Sequence, residues 1–115
     1  MKKAGQVAVV RFPTVTLGEG KSRPVLLIAP LLGPHEDWLV SMFSTQLQQA
    51  VEGFDEMVDE AQDDFQSSGL KIASAIRIAR LAVVPADMLL GSIGEISAER
   101  LQRIRQKLAG WIYNP

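Results

Sequence analysis

Ala75-Ile76-Arg77-Ile78-Ala79-Arg80-Leu81-Ala82-Val83-Val84 reads as a β-strand with a defect in its middle. Ile76 and Ile78 share one face of a strand, whereas Leu81 and Val83 share a face of the opposite parity. The inward register therefore changes near Ala79-Arg80, and a β-bulge or sharp bend is the local solution. In that arrangement Arg77 and Arg80 both point away from the core. Pro85 stops the strand, because proline has no N–H for the ladder.

Upstream, Gln6 to Arg11 is short and β-branched and reads as a buried strand that Pro13 ends or marks as an edge. Residues 14–22 form a loop with two glycines and no apolar periodicity. Lys21-Ser22-Arg23-Pro24 then leads into a second strand, Val25 to Ala29, closed by Pro30. An arginine at the base of such a strand is charged at every physiological pH and suits a phosphate contact. Leu31-Leu32-Gly33-Pro34 is a turn, and Trp38 to Phe43 is a third strand ending at Ser44-Thr45.

The segment from Val51 to Gln66 is acidic. Positions 52, 55, 56, 59, 60, 63 and 64 fall on one helical face, opposite Val51, Phe54, Val58, Ala61 and Phe65. The pattern alone predicts an amphipathic helix weakened by Gly53, its acidic side a solvated face. Ser67-Ser68-Gly69 supplies a turn. A terminal helix follows Ser97, a good N-cap, with Glu99 in its first turn and Ile96 and Leu101 as a hydrophobic staple. Leu101, Ile104, Leu108 and Ile112 make its apolar stripe; Arg100, Arg103, Arg105 and Lys107 lie mostly off it. Several short strands, regular turn signals and one terminal helix favour a small, strongly bent β-barrel.

The 115 residues form one expected domain, 1–115, with room for a single core. There is no cysteine, which excludes disulfides and cysteine metal sites. No apolar run approaches the roughly 20 residues that cross a bilayer, and no secretory signal follows Met1-Lys2-Lys3, so a cytoplasmic protein away from membranes is expected. Aromatic residues are only 6%, too few for a platform that stacks several bases. Net charge is −1, but residues 1–35 carry five basic and one acidic residue, 36–64 nine acidic and none basic, and 65–115 seven basic and three acidic. Two basic segments can form one face for an anionic ligand. Lone His35 reads as a solvated loop residue. With its neighbours Glu36 and Asp37 it makes a poor metal site, because adjacent side chains diverge. Trp38 and Trp111 read as core or dimer-interface residues.

Taken in order, Val9-Val10-Arg11-Phe12-Pro13, Lys21-Ser22-Arg23-Pro24-Val25-Leu26 and Leu39-Val40-Ser41-Met42-Phe43-Ser44-Thr45 resemble the opening strands of the PemK/MazF toxin family. Asp64-Phe65-Gln66-Ser67-Ser68-Gly69-Leu70-Lys71, then Ser74-Ala75-Ile76-Arg77, resembles a pair of motifs in one branch of it, and Gly94-Glu95-Ile96-Ser97 with the helix also matches. The resemblance covers nearly the whole chain. It implies an SH3-like, strongly bent barrel (PemK/MazF/CcdB-like) with a C-terminal helix, usually a homodimer. It also implies a strand near Glu56–Glu60 with any helical turn after it, and that reading is adopted over the long helix.

The resemblance further implies a toxin of a type II toxin–antitoxin system: a metal-independent, sequence-specific endoribonuclease (an mRNA interferase) that cuts single-stranded RNA and is neutralised by an antitoxin protein. No cofactor is implied. Arg23 matches the family's loop arginine, a phosphate stabiliser or proton donor. Ser44 stands where the family usually has threonine, with Thr45 beside it as a substitute. Arg77 matches the arginine of a Ser-x-x-Arg motif. Lys21, Glu19 and Arg80 are the expected RNA-binding neighbours. The family's loop histidine is here Leu17, its loop aspartate Thr16, and the acid two residues after the motif arginine Ala79, which leaves Glu19 as the remaining carboxylate for a general base. Two other functions fit the same fold: a non-catalytic module that binds RNA or protein, and a toxin that inhibits DNA gyrase.

Overall fold

The structure is a computed structural model and describes residues 2–12 and 21–115, with the side chains of Phe12 and Lys21 left aside. Six strands, β1 (Gln6–Phe12), β2 (Lys21–Pro30), β3 (Asp37–Ser44), β4 (Glu56–Val58), β5 (Ser74–Pro85) and β6 (Leu89–Glu95), form one antiparallel sheet in the order β4-β5-β3-β2-β1-β6. Among the described residues two α-helices complete it, a single turn α1 (Phe65–Ser68) and the terminal α2 (Ala98–Tyr113).

Each face of the sheet carries an apolar cluster. Leu26 and Ile28 of β2 join Val7, Ile76, Ile78 and the α2 residues Ile104 and Leu108 in one apolar cluster. Val25 and Leu27 point the other way and join Ala8, Val10, Trp38, Val40, Val84 and Leu89. Every buried member of the second cluster lies on a strand, so that face is covered by the sheet curling on itself. This is the expected bent barrel with a C-terminal helix.

The curl is made at bulges. Between β3 and β5, Met42 faces Arg77 while Ser41 faces Leu81, so Ile78, Ala79 and Arg80 have no partner across the ladder. This is the expected register change, with one correction. Leu81 still packs on the first cluster, but Val83 is exposed, and Ala82 and Val84 are the residues that enter the second. The β1–β6 ladder also slips twice, between Val7 and Ala8 and between Val9 and Val10, and leaves Leu90 and Ile93 exposed.

The acidic segment is not one helix. It contains strand β4 and then α1 beginning at Phe65, as the resemblance implies, and a 3₁₀ turn at Leu47–Gln49 precedes it. Nor is its acidic side simply solvated: Glu56 and Asp64 are buried, and the Asp55 side chain is 2% exposed. Their partners come largely from α2. Arg100, expected off the apolar stripe, is buried between Asp64 and Glu56, while Ile112, expected on the stripe, is exposed. Periodicity misplaces both because it scores arginine as polar whether or not a carboxylate awaits it inside. Ser97 does cap α2, its Oγ accepting from the N–H of Arg100 at 3.1 Å. Strand β6 has no counterpart in the sequence reading, because Gly91, Ser92 and Gly94 break any strand signal.

Candidate functional site

A bulge frees backbone groups that must find other partners if they are buried. At Ile78 both are supplied by side chains. Its N–H donates to Asp55 Oδ1 at 3.0 Å, and its carbonyl accepts from Ser41 Oγ at 2.9 Å. Ser41 is fully buried, and this bond explains a hydroxyl at a core position of β3. The irregularity between β2 and β3 at Ile28 is handled similarly: its carbonyl accepts from Nε and Nη2 of Arg105 at 3.0 and 2.6 Å.

The β5 bulge has a consequence on the surface. In a regular strand, residues three apart point to opposite faces. Here Arg77 and Arg80 line the same concavity. Its volume is about 490 Å³, and Arg23 and Pro24 of β2, Met42, Phe43 and Ser44 of β3, and Gln49 complete the wall. Arg77 is held firmly, with Nε donating to Asp55 Oδ2 at 2.9 Å and Nη1 reaching Gln49 Oε1 at 3.4 Å. Arg23 and Arg80 are exposed, and neither has an ion-pair partner among the described residues. Three guanidinium groups thus share one hollow, and the carboxylate against Arg77 is buried. Such a hollow attracts an anion whose oxygens can accept from planar N–H forks.

Ser44, the last residue of β3, reaches the hollow, and its Oγ accepts from the N–H of Gln46 at 3.0 Å. The hydroxyl proton remains free to donate outward. Thr45 is exposed and does not line the hollow. Lys21 opens β2, two residues before Arg23, and Glu19 lies outside the described residues. His35 is exposed in a loop, and among the described residues no cluster of histidines and carboxylates is arranged to hold a metal ion. Trp38 is a core residue; Trp111 is partly exposed, its ring edge-on to Phe54 at 6.4 Å.

Asp55, Gln49 and Ser41 are absent from the sequence-derived set of site residues. The register change in β5 signals that a backbone N–H needs an acceptor, but Asp55 is 23 positions away and looks like part of a solvated acidic run.

The segment that carries Asp55 is fastened to α2 by its neighbour Glu56. That carboxylate accepts from Arg100 Nη1 at 2.8 Å, Arg103 Nη2 at 2.8 Å and Lys107 Nζ at 2.7 Å. Burial alone would push its pKa up, but the hydrogen bonds and charges of Arg103 and Lys107 outweigh burial and hold it at about 2 instead of 4.5. Asp64 is likewise held below its ordinary value: burial opposes this, and Arg100 and the Ser97 N–H overcome it.

Among the described residues no helix is long and apolar enough to cross a membrane. No curated protein matches the sequence. The family model described as PemK-like, MazF-like toxin of type II toxin–antitoxin system matches residues 3–112, a span that holds every residue of the arginine-lined hollow. By that match and by its bent six-stranded sheet with a terminal helix, the chain belongs to the PemK-like, MazF-like toxins of type II toxin–antitoxin systems.

Proposed function

We propose that this toxin is a metal-independent endoribonuclease that cuts single-stranded RNA in the hollow between β2, β3 and β5. The observation that carries the reading is the convergence of Arg23, Arg77 and Arg80 with the Ser44 hydroxyl on one concave surface. Cleavage by the neighbouring 2′-hydroxyl forms a bond from O2′ to phosphorus and breaks the bond to O5′, which takes a proton from Arg23 or from water as it leaves, giving a 2′,3′-cyclic phosphate and a free 5′-hydroxyl. Charge builds on the non-bridging oxygens on the way, and fixed guanidinium groups stabilise that charge more than the ground state. Arg23 and Arg77 take this role, and Arg80 and Lys21 hold flanking phosphates. Ser44 donates a hydrogen bond that orients the phosphate, and its neighbour Thr45 is the substitute hydroxyl. Glu19, expected among the RNA-binding residues, is the carboxylate that the sequence leaves to take the 2′-hydroxyl proton.

In the same reading the protein is a single-domain cytoplasmic homodimer neutralised by a cognate antitoxin protein, and it uses no cofactor. The lack of a carboxylate or imidazole among the described lining residues favours one second reading, in which the hollow binds RNA without cutting it. Incubation with single-stranded RNAs of varied sequence in excess chelator separates the two. The expected products carry 2′,3′-cyclic phosphate ends. RNA that stays intact but is retarded in a gel would replace cleavage by binding.

A further inference from the structure

Asp55 sits where three segments meet. Its Oδ2 accepts from Arg77 Nε and from the N–H of Val51, each at 2.9 Å, and its Oδ1 accepts from the N–H of Ile78 at 3.0 Å. The side chain is 2% exposed. With three donors on two buried oxygens it has no open path to a substrate proton, so it is not a general base. What it does control is direction. It seals the backbone N–H that the β5 bulge leaves without a ladder partner, and it holds Nε of Arg77, so that the Nη1 end of the guanidinium reaches Gln49 in the hollow's wall.

We infer that Asp55 is a positioning residue for RNA cleavage: it fixes the β5 bulge and the Arg77 fork together, so that Arg77 and Arg80 address one phosphate region from a strand that would otherwise point them apart. The inference rests on the ribonuclease reading of the hollow and assigns a role outside its lining. Binding by Arg77 is productive because its rotamer is set before RNA arrives, which lowers the ordering cost of a long side chain.

A double-mutant cycle tests this. Asn at position 55 keeps the shape and an acceptor for Ile78, but its amide group cannot accept from Arg77 or from the N–H of Val51. Wild type, Asp55→Asn, Arg77→Gln and the double variant are compared in kcat/KM on a single-stranded RNA. They are also compared in affinity for the matching 2′-deoxy oligonucleotide, which lacks the attacking hydroxyl. Asp55→Asn should lose roughly tenfold to a hundredfold in kcat/KM and bind the oligonucleotide more weakly. In the Arg77→Gln background it should cost nothing further in either readout. An equal loss in both backgrounds would make Asp55 merely structural and overturn the inference, as would an unchanged Asp55→Asn. If wild type leaves RNA intact, the ribonuclease reading falls, and the binding cycle still decides whether Asp55 acts through Arg77. Should Asp55→Asn fail to fold, the Nε–H resonance of Arg77, assigned by its loss in Arg77→Lys, reads the same bond in the intact protein. Protection from exchange with oligonucleotide bound supports the inference, and fast exchange there overturns it.

Discussion

Arg100 and Glu56 meet at 2.8 Å inside the protein, 44 positions apart in sequence and each less than a tenth exposed. Arg100 also holds Asp64 through Nε and Nη2 at 2.8 and 3.0 Å, so one guanidinium ties β4 and the approach to α1 to the terminal helix. Removing one partner of such a pair leaves a buried charge without compensation. Arg100→Leu should therefore destabilise the fold by about 3–5 kcal/mol. Arg103→Leu touches a half-exposed side chain against the same Glu56 and should cost about 1 kcal/mol or less. Urea denaturation of the two variants compares them directly, and equal costs would remove the distinction between the buried and the half-exposed arginine.

Glu56 also makes stability depend on pH. Its folded pKa, about 2, lies below its ordinary value of 4.5. The folded state thus favours the ionised form, and the stabilisation is complete above pH 4.5 and disappears as pH falls from there towards 2. The contribution is on the order of 3 kcal/mol. Asp64, shifted in the same direction, adds to the same acid limb. Stability measured by urea at pH 7 and near pH 3 should differ by a large part of that amount in wild type. In Glu56→Gln the difference should shrink, and an unchanged acid limb would place the acid sensitivity elsewhere.

The strands that build the curled sheet were largely legible in the sequence, because apolar runs rich in valine and isoleucine, such as Val7-Ala8-Val9-Val10 and Val25-Leu26-Leu27-Ile28, with prolines beyond their ends, carry a local signal. The β5 defect was legible too, since a change of parity between Ile78 and Leu81 has no regular solution. Its remedy was not, because Asp55 and Ser41 reach Ile78 from separations of 23 and 37 residues. Periodicity in the acidic segment misleads for a related reason, whereas the strand near Glu56 that the resemblance implies is the one observed. The segment's charges follow a helical period, but Glu56 and Asp64 are placed by cations on α2, which no local window contains. At the site, Arg23, Ser44, Arg77 and Arg80 could be named from the resemblance and from strand parity. That they share one hollow depends on the bulge.

The packing of α1 on β6 leaves no room for a side chain. A Cβ at Gly94 would run into the Ser67 carbonyl oxygen, and one at Gly69 into that of Ile93. Gly69 also closes α1 in the left-handed region at φ +76°. Gly94→Ala must push two backbones apart and should cost about 1–3 kcal/mol or more. Thermal melting should fall by several degrees for Gly94→Ala and further for Gly69→Ala, where backbone strain adds to the clash. Gly53→Ala isolates the strain, since its φ is also positive but a Cβ there meets nothing within 4 Å. A melting temperature for Gly94→Ala equal to wild type would show that α1 can lift from β6 without cost.

Arg23 is the guanidinium whose loss should separate function from fold most cleanly. It stands on β2 opposite Val10, with its side chain exposed, and among the described residues it has no ion-pair partner and no buried group that depends on it. Arg23→Ala should melt within a degree or two of wild type while RNA cleavage falls by about a hundredfold to a thousandfold, the range for removing one donor from an anionic transition state. Arg23→Lys should recover only part of the rate, because an ammonium group keeps the charge but cannot offer two parallel N–H donors to a phosphate. Growth arrest on expression should follow the same order, with wild type strongest, Arg23→Lys weaker and Arg23→Ala inert. A variant that keeps full toxicity without Arg23 would move the phosphate contact to Arg77 and Arg80 alone. A lysine variant as active as wild type would reduce the role of Arg23 from a directed fork to simple charge.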